Sequence, residues 1–255
     1  MSKKQVYAKI ISQTSLADGI FDMTLKAEEI AKEAKPGQFL SVYVNDKSKI
    51  LPRPISICGI NPEEGTLRIV YRVAGEGTAQ LSTYQAGEEV KILGPLGNGF
   101  TMKDKKAILI GGGIGIPPML ELFKQLDCEK TAVLGYRDSQ MFLKDEFDAV
   151  GKVVVSTEDG SVGTKGNVID AIKEQAVEGA VIYACGPTPM LKGVKAYAQE
   201  YGIEAQISLE ERMACGIGAC LACVCKSKDV DNHSHVHNKR VCKDGPVFDA
   251  REVEL

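Results

Sequence analysis

Over the first hundred residues, hydrophobic positions come in short runs at 6–11, 39–44, 66–73 and 89–93, broken by turns rich in Gly, Pro and Asn. Short alternating runs at this spacing predict a small antiparallel β-barrel. Only 78–84, after the Gly75-Glu76-Gly77-Thr78 turn, reads as helical. The texture changes at Lys105. Apolar stretches at 107–110, 131–136, 152–156, 180–184 and 204–209 alternate with helical patterns running to Leu126, over 168–174 and over 190–201. Buried strands alternating with helices predict a doubly wound parallel α/β sheet. The expected organisation is multidomain, β followed by α/β: a barrel over 1–102, an α/β domain over 103–209, and a small C-terminal domain over 210–255.

Composition narrows the class. A chain of 255 residues suffices for two domains and an appendage. With 25% charged residues and a formal net charge of −3 it has no basic patch, so nucleic acid is not an expected partner. No apolar run approaches the ~18 residues of a membrane span, and the N-terminus enters a strand pattern without an apolar export segment. Together with eight cysteines, this leads to the expectation of a reducing cytoplasm and no membrane.

Four of those cysteines, Cys215, Cys220, Cys223 and Cys242, follow C-x4-C-x2-C with a distant fourth, the spacing of a plant-type [2Fe-2S] cluster. Gly216-Ile217-Gly218-Ala219 and Leu221-Ala222 lie between them, and small residues let backbone N–H groups approach sulfur. Structural zinc is an alternative, but it usually pairs two C-x2-C knuckles, whereas here three cysteines share one loop. Disulfides are not expected in a chain of this size and compartment. Cys225 would point to the opposite face of a strand and reads as a packed thiol; Cys58 and Cys128 read as core residues. Between Cys223 and Cys242 stand 18 residues that include His233, His235 and His237. A solvated hairpin tip accounts for them better than a metal site.

Open parallel sheets bind ligands beyond the C-terminal ends of their strands. Gly111-Gly112-Gly113-Ile114-Gly115-Ile116-Pro117-Pro118 occupies such a place and opens a helix whose first N–H groups can face a pyrophosphate. Pro118 stands where the dinucleotide fingerprint has its third glycine, so a purely structural glycine loop stays open. Cys185-Gly186-Pro187-Thr188-Pro189-Met190 follows another strand and would turn the Cys185 thiol toward the same crevice, against the alternative of a structural buried cysteine. Glu158 and Asp159 follow a third strand, and their charge disfavours a 2′-phosphate, leaning to NAD over NADP. In the barrel, Arg53-Pro54-Ile55-Ser56 reads as a turn between strands, able to take a phosphate bidentately or simply solvated. Val70-Tyr71-Arg72 ends a strand with an aromatic and a cation, and Gly77-Thr78 opens a short helix that can hold a pyrophosphate.

Taken in order, RPIS, VYR, GEGT, GGGIGIPP and CGPTPML resemble the motif series of the ferredoxin–NADP reductase superfamily. With SLEERMACGIGACLACVCK and VCKDGPVF added, the chain resembles, over essentially its whole length, the electron transfer subunits of dihydroorotate dehydrogenase B. The resemblance implies FAD in the barrel, contacted by Arg53, Pro54, Ile55, Ser56, Val70, Tyr71, Arg72, Gly77 and Thr78. It implies NAD as substrate, with phosphates near Gly112, Gly113 and Gly115 and the nicotinamide by Cys185. It implies a [2Fe-2S] cluster on Cys215, Cys220, Cys223 and Cys242. The implied partner is an FMN-containing catalytic subunit that oxidises dihydroorotate in pyrimidine biosynthesis, in an assembly with two copies of each subunit. Electrons would pass singly to the cluster, then to FAD, and leave as hydride to NAD+. A related flavin and iron–sulfur reductase, of the sulfide dehydrogenase or ferredoxin:NADP type, is the alternative; such relatives can carry aspartate where this chain has Cys215. A non-catalytic, zinc-filled docking module is the reading from a second class.

Overall fold

The computed structural model describes residues 3–231 and 235–255. His233, one of the three alternating histidines, lies outside them. The N-terminal strands are β1 (Lys4–Ala17), β2 (Ile20–Lys26), β3 (Phe39–Tyr43), β4 (Arg53–Asn61), β5 (Thr66–Arg72) and β6 (Glu89–Leu96), with short helices α1 (Glu28–Ala31) and α2 (Glu76–Leu81). They close a barrel in the order β1-β2-β5-β4-β3-β6. Successive strand side chains point to opposite faces. One set, including Ile10, Met23, Leu25, Leu40, Ile57 and Ile69, fills the interior with no exposure, each side chain contributing about 2 kcal/mol of burial.

Two expectations for this region change. Arg53-Pro54-Ile55-Ser56 is not a turn but the start of β4. Proline is tolerated because β4 pairs with β3 from Arg53 onward but meets β5 only from Ile57. Pro54 therefore sits on an open edge, where a missing N–H breaks no ladder. Helix α2 begins at Glu76 and ends at Leu81, earlier than 78–84. Thr78 Oγ1 accepts from the N–H groups of Ala74 (2.9 Å) and Gly75 (3.2 Å), which starts the helix ahead of the threonine.

The second unit runs β7 (Ala107–Gly112), α3 (Pro117–Gln125), β8 (Lys130–Tyr136), α4 (Lys144–Asp148), β9 (Lys152–Thr157), β10 (Thr164–Lys165), α5 (Val168–Glu174), β11 (Val181–Cys185), α6 (Thr188–Tyr201) and β12 (Glu204–Ser208). The C-terminal segment adds a hairpin of β13 (Val224–Lys226) and β14 (Asn238–Arg240), then β15 (Val247–Asp249). The sheet order is β10-β9-β8-β7-β11-β12-β15, parallel throughout except that β15 runs against β12. The C-terminal segment is thus woven into the edge of the α/β sheet. Its Cys223, Val241 and Cys242 share one core with Ile108 and Ile182 of that sheet and with Phe39 and Leu96 of the barrel. Among the described residues no helix is long and apolar enough to cross a membrane.

An ionic tie clamps barrel to α/β unit. Arg68 on β5 forks onto Asp22 (2.6–3.0 Å) and onto Glu146 of α4 (2.6 and 2.8 Å). Beside it, the Ile60 N–H donates to Glu121 of α3 at 3.0 Å. Hydrogen bonds from Arg68 hold the Glu146 carboxyl below its usual value of 4.5. A depressed carboxylate stabilises the fold above the unfolded pKa, and the contribution is lost as pH falls through the folded one. Glu146→Gln is therefore expected to cost about 1 kcal/mol at pH 7, the pair being partly exposed, with the two proteins converging in urea titrations below pH 4.5. Parallel profiles would rule out the tie.

Candidate functional site

The departure of β4 from β5 leaves the barrel wall unpaired between residues 53–56 on one bank and 70–72 on the other. Ile55 and Ile57 point into the barrel core. Alternation therefore turns Pro54 and Ser56 outward. Arg53 folds back, donating to the carbonyls of Leu51 (2.6 Å) and Lys49 (3.4 Å), and its guanidinium covers Gly77 so closely that a Cβ there would overlap it. RPIS and GEGT, 24 positions apart from Arg53 to Gly77, are in this way one feature. The cation beside this glycine turn suits a phosphate. Tyr71 offers its ring elsewhere: it is buried in the barrel, 6.0 Å from Phe21, and its hydroxyl donates to Gln13 at 2.9 Å. Only its backbone borders the gap. Val70 is buried toward the α/β unit.

A cavity of about 630 Å³ lies between barrel and sheet. Gly112 and Gly113 of the first loop and Pro187 and Met190 of the second line it, facing Arg72 of β5 and Glu158 beyond β9. Arg72 thus belongs to both sites, its Nη2 lying 3.7 Å from where Gly113 would carry a Cβ. The acidic residue suspected of reading the ribose does reach the same cavity as the glycine loop. Ser156 lines the cavity, and its Oγ, like Thr164 Oγ1 opposite it in register, is buried without a hydrogen-bond partner among the described residues. Gly115 is not on the wall; its missing side chain makes room for the Cys185 carbonyl, so the two loops pack directly. Cys185 is set behind the wall. Burial pushes its thiol up to about 12, partly offset by a hydrogen bond with Ser208, so it stays a neutral thiol.

Sequence reasoning missed several wall residues: Asp18 and Gly19 from the β1–β2 turn, and Arg137 and Asp138 beyond β8. Arg137 and Asp138 follow the C-terminal end of a parallel strand, which was a usable signal. Asp18 and Gly19 had none, because only barrel closure brings that turn to the sheet.

The four cysteines gather in one place, Cys215 and Cys220 on one loop and Cys223 beside Cys242. Backbone N–H groups point at the sulfurs: Ile217 (3.4 Å) and Ala219 (3.3 Å) at Cys215, Gly218 (3.1 Å) at Cys242, and Cys242 itself (3.4 Å) at Cys223. Burial raises the Cys215 thiol, but these amides and Cys220 outweigh it and bring it down to about 6, favouring thiolate. Burial and the Cys223 neighbour push Cys242 up to about 12. Among the described residues no three metal-ligating side chains converge on one point. Cys220 is exposed while Cys223 and Cys242 are buried, so the site has one inner and one outer edge. Cys225 packs its partly buried thiol against the core, pushed up to about 11 by burial. His237 bonds the Lys228 carbonyl at 2.7 Å through Nδ1, an ordinary loop contact.

Comparison with known proteins agrees with this geometry. Residues 210–254 match the model of the iron-sulfur cluster binding domain of dihydroorotate dehydrogenase B, and residues 109–196 that of the oxidoreductase NAD-binding domain. Relatives named dihydroorotate dehydrogenase B (NAD(+)), electron transfer subunit, are 42% identical in Shouchella clausii, over 100% of both chains, and 44% identical in Bacillus velezensis, over 99% of this chain and 100% of that one. A solved structure of an NADH-dependent reduced ferredoxin–NADP oxidoreductase, from work on flavin-based electron bifurcation, superposes with a TM-score of 0.88 at 31% identity, covering 98% of this chain and 90% of that one. Full-length identity above two-fifths, joined to four cysteines on a barrel and α/β scaffold, means that the chain belongs to the family of dihydroorotate dehydrogenase B (NAD+) electron transfer subunits.

Proposed function

We propose that this chain carries electrons between a dihydroorotate-oxidising partner subunit and NAD+, holding a [2Fe-2S] cluster on Cys215, Cys220, Cys223 and Cys242 and FAD in the gap of the barrel wall. The observation that carries this reading is the set of backbone amides aimed at the cysteine sulfurs, with Cys223 and Cys242 in one core with the outer face of the barrel. When bound, FAD would convert the two electrons of one hydride into single electrons, and the cluster would carry these one at a time.

The chain's own residues position and insulate. Arg53 and the Gly77 and Thr78 backbone would hold the flavin phosphates, while Pro54, Ile55, Ser56 and the Val70–Arg72 backbone border its ring system. Gly112 and Gly113 would admit the nucleotide phosphates close to the start of α3. Cys185, a neutral thiol beside Ser208 and set behind the wall, would back the nicotinamide end of the cavity without adding charge, and takes no proton itself. Glu158 would accept from the adenosine ribose hydroxyls and repel a 2′-phosphate. Glu158→Gln is expected to narrow the NADH over NADPH preference by about tenfold, the worth of one charge-assisted hydrogen bond. Steady-state kinetics with both nucleotides measure it, and an unchanged ratio would remove Glu158 from the ribose.

The partner is an FMN-containing catalytic subunit, in an assembly with two copies of each chain, acting in the cytoplasm in pyrimidine biosynthesis. What supports a catalytic partner is the relatives' name, electron transfer subunit of dihydroorotate dehydrogenase B, and eight cysteines outside any disulfide suit a reducing compartment. The purified chain should absorb near 450 nm with broad iron–sulfur shoulders and oxidise NADH with artificial acceptors. It should reduce NAD+ with dihydroorotate only when its partner is added. A colourless, zinc-containing protein, or dihydroorotate turnover by the isolated chain, would refute the reading.

A further inference from the structure

We propose that the hydroxyl of Ser41 donates a hydrogen bond to the iron–sulfur group from the barrel side and raises its reduction potential; this rests on the reading of the four cysteines as cluster ligands. Strand β3 presents two faces. Leu40 and Val42 point into the barrel core, so Phe39 and Ser41 point out. Phe39 shares its core with Leu96, Cys223 and Cys242, which identifies what covers this outer face: the cysteine segment. Ser41 is fully buried there, yet its Oγ has no hydrogen-bond partner among the described residues.

The direction of that hydroxyl is fixed by its neighbour. A Cβ built on Gly216 would stand 2.7 Å from Ser41 Oγ, nearer than the 4.0 Å to Ser41 Cβ, so the oxygen is aimed at the cysteine loop. Gly216 adopts φ +67°, the left-handed region, directly after Cys215. Glycine thus serves the turn and also clears the space between hydroxyl and loop. The amides of Ile217 and Ala219 already bond Cys215 Sγ. Ser41 would add a donor to this loop from the barrel side.

A buried hydroxyl without a partner is destabilising, and alanine would fill the same place without that cost. The acceptor that arrives when the cysteines are loaded is sulfur, and hydrogen bonds to cluster sulfurs favour the more negative, reduced form. Ser41 is also the register partner of Pro54 on β4. Opposed residues on one face stand within about 5.5 Å at Cβ, so the hydroxyl lies between the cysteine loop and the strand assigned to the flavin.

The test is Ser41→Ala in the full chain with cluster and flavin loaded, titrated anaerobically and followed by electron paramagnetic resonance. The expected result is about a tenfold shift of the cluster's equilibrium away from the reduced form, which for one electron is 59 mV. The flavin potential should not move. An unchanged cluster potential overturns the proposal. Thermal melts of the metal-free chains give a second reading: the alanine variant should be as stable as wild type or more so, and a clear loss overturns the proposal, since the hydroxyl would then have a partner in the protein itself. A variant equally stable without metal that fails to retain the cluster supports it. Absence of any iron–sulfur signal in the wild type refutes the cysteine assignment instead, and so separates the two failures.

Discussion

Cys223→Ala should leave a folded, yellow flavoprotein with no [2Fe-2S] signal, in which dihydroorotate-driven NAD+ reduction by the two-subunit complex falls more than about 100-fold. Cys223 is 2% exposed and sits at the inner edge, where it lies beside Cys242 and accepts from that residue's N–H. NADH oxidation with a two-electron artificial acceptor should survive, because flavin and nucleotide sites share no side chain with the cysteine loop. Cys225→Ala is the matched control. It lies two positions on, its thiol packs against the same core, and its loss should cost about 1 kcal/mol of stability without touching the cluster. Iron and sulfide content with the paramagnetic resonance spectrum decide the matter. A cluster retained at full occupancy in Cys223→Ala, or lost in Cys225→Ala, would overturn the ligand assignment.

Gly77→Val should strip the flavin while the cysteine loop keeps its metal. Any Cβ at Gly77 overlaps the guanidinium of Arg53, so either the arginine swings away or α2 shifts, and both dismantle the phosphate-binding corner. Loss of the charge-assisted contact from Arg53 costs about 1.5–3 kcal/mol, which corresponds to about 10- to 150-fold weaker FAD binding. Gly75→Ala provides the contrast, since a Cβ there meets nothing within 4 Å, and it should bind FAD as wild type does. Flavin fluorescence titrations of the two variants measure the difference. Equal affinities would show that the Arg53–Gly77 contact has no part in holding the flavin.

Much of the architecture is legible in the pattern of residues along the chain. Parallel strands are buried on both faces and read as continuous apolar runs, so β7, β8, β9, β11 and β12 all lie within a residue or two of their expected bounds. Helix α5 matches at both ends, because Asn167 caps it by accepting from the N–H groups of Ile169 and Asp170. The cysteine loop is legible for another reason: C-x4-C-x2-C encodes ligand geometry in local spacing. What escapes is whatever depends on a neighbour. β2 and α4 carry too short or too mixed a pattern to stand out alone. The proline in RPIS is a strong turn signal, and only the missing β5 partner lets it begin a strand. Tyr71 advertises a stacking ring, but its direction is decided by Gln13, 58 positions away.

The sequence by itself determined the chemistry: four cysteines at cluster spacing, an arginine-proline segment, a glycine loop and an acidic residue after β9, all in an order resembling one family. Those are local facts of residue type and spacing. Only the tertiary structure decided which of them meet. It drew Arg53 over Gly77, set Arg72 against the glycine loop, seated Cys223 and Cys242 on the outer face of β3, and aimed the Ser41 hydroxyl at Gly216. The physical reason is that such meetings depend on barrel register and on a C-terminal strand joining the sheet edge, long-range pairings that hydrophobic periodicity along a single chain cannot encode.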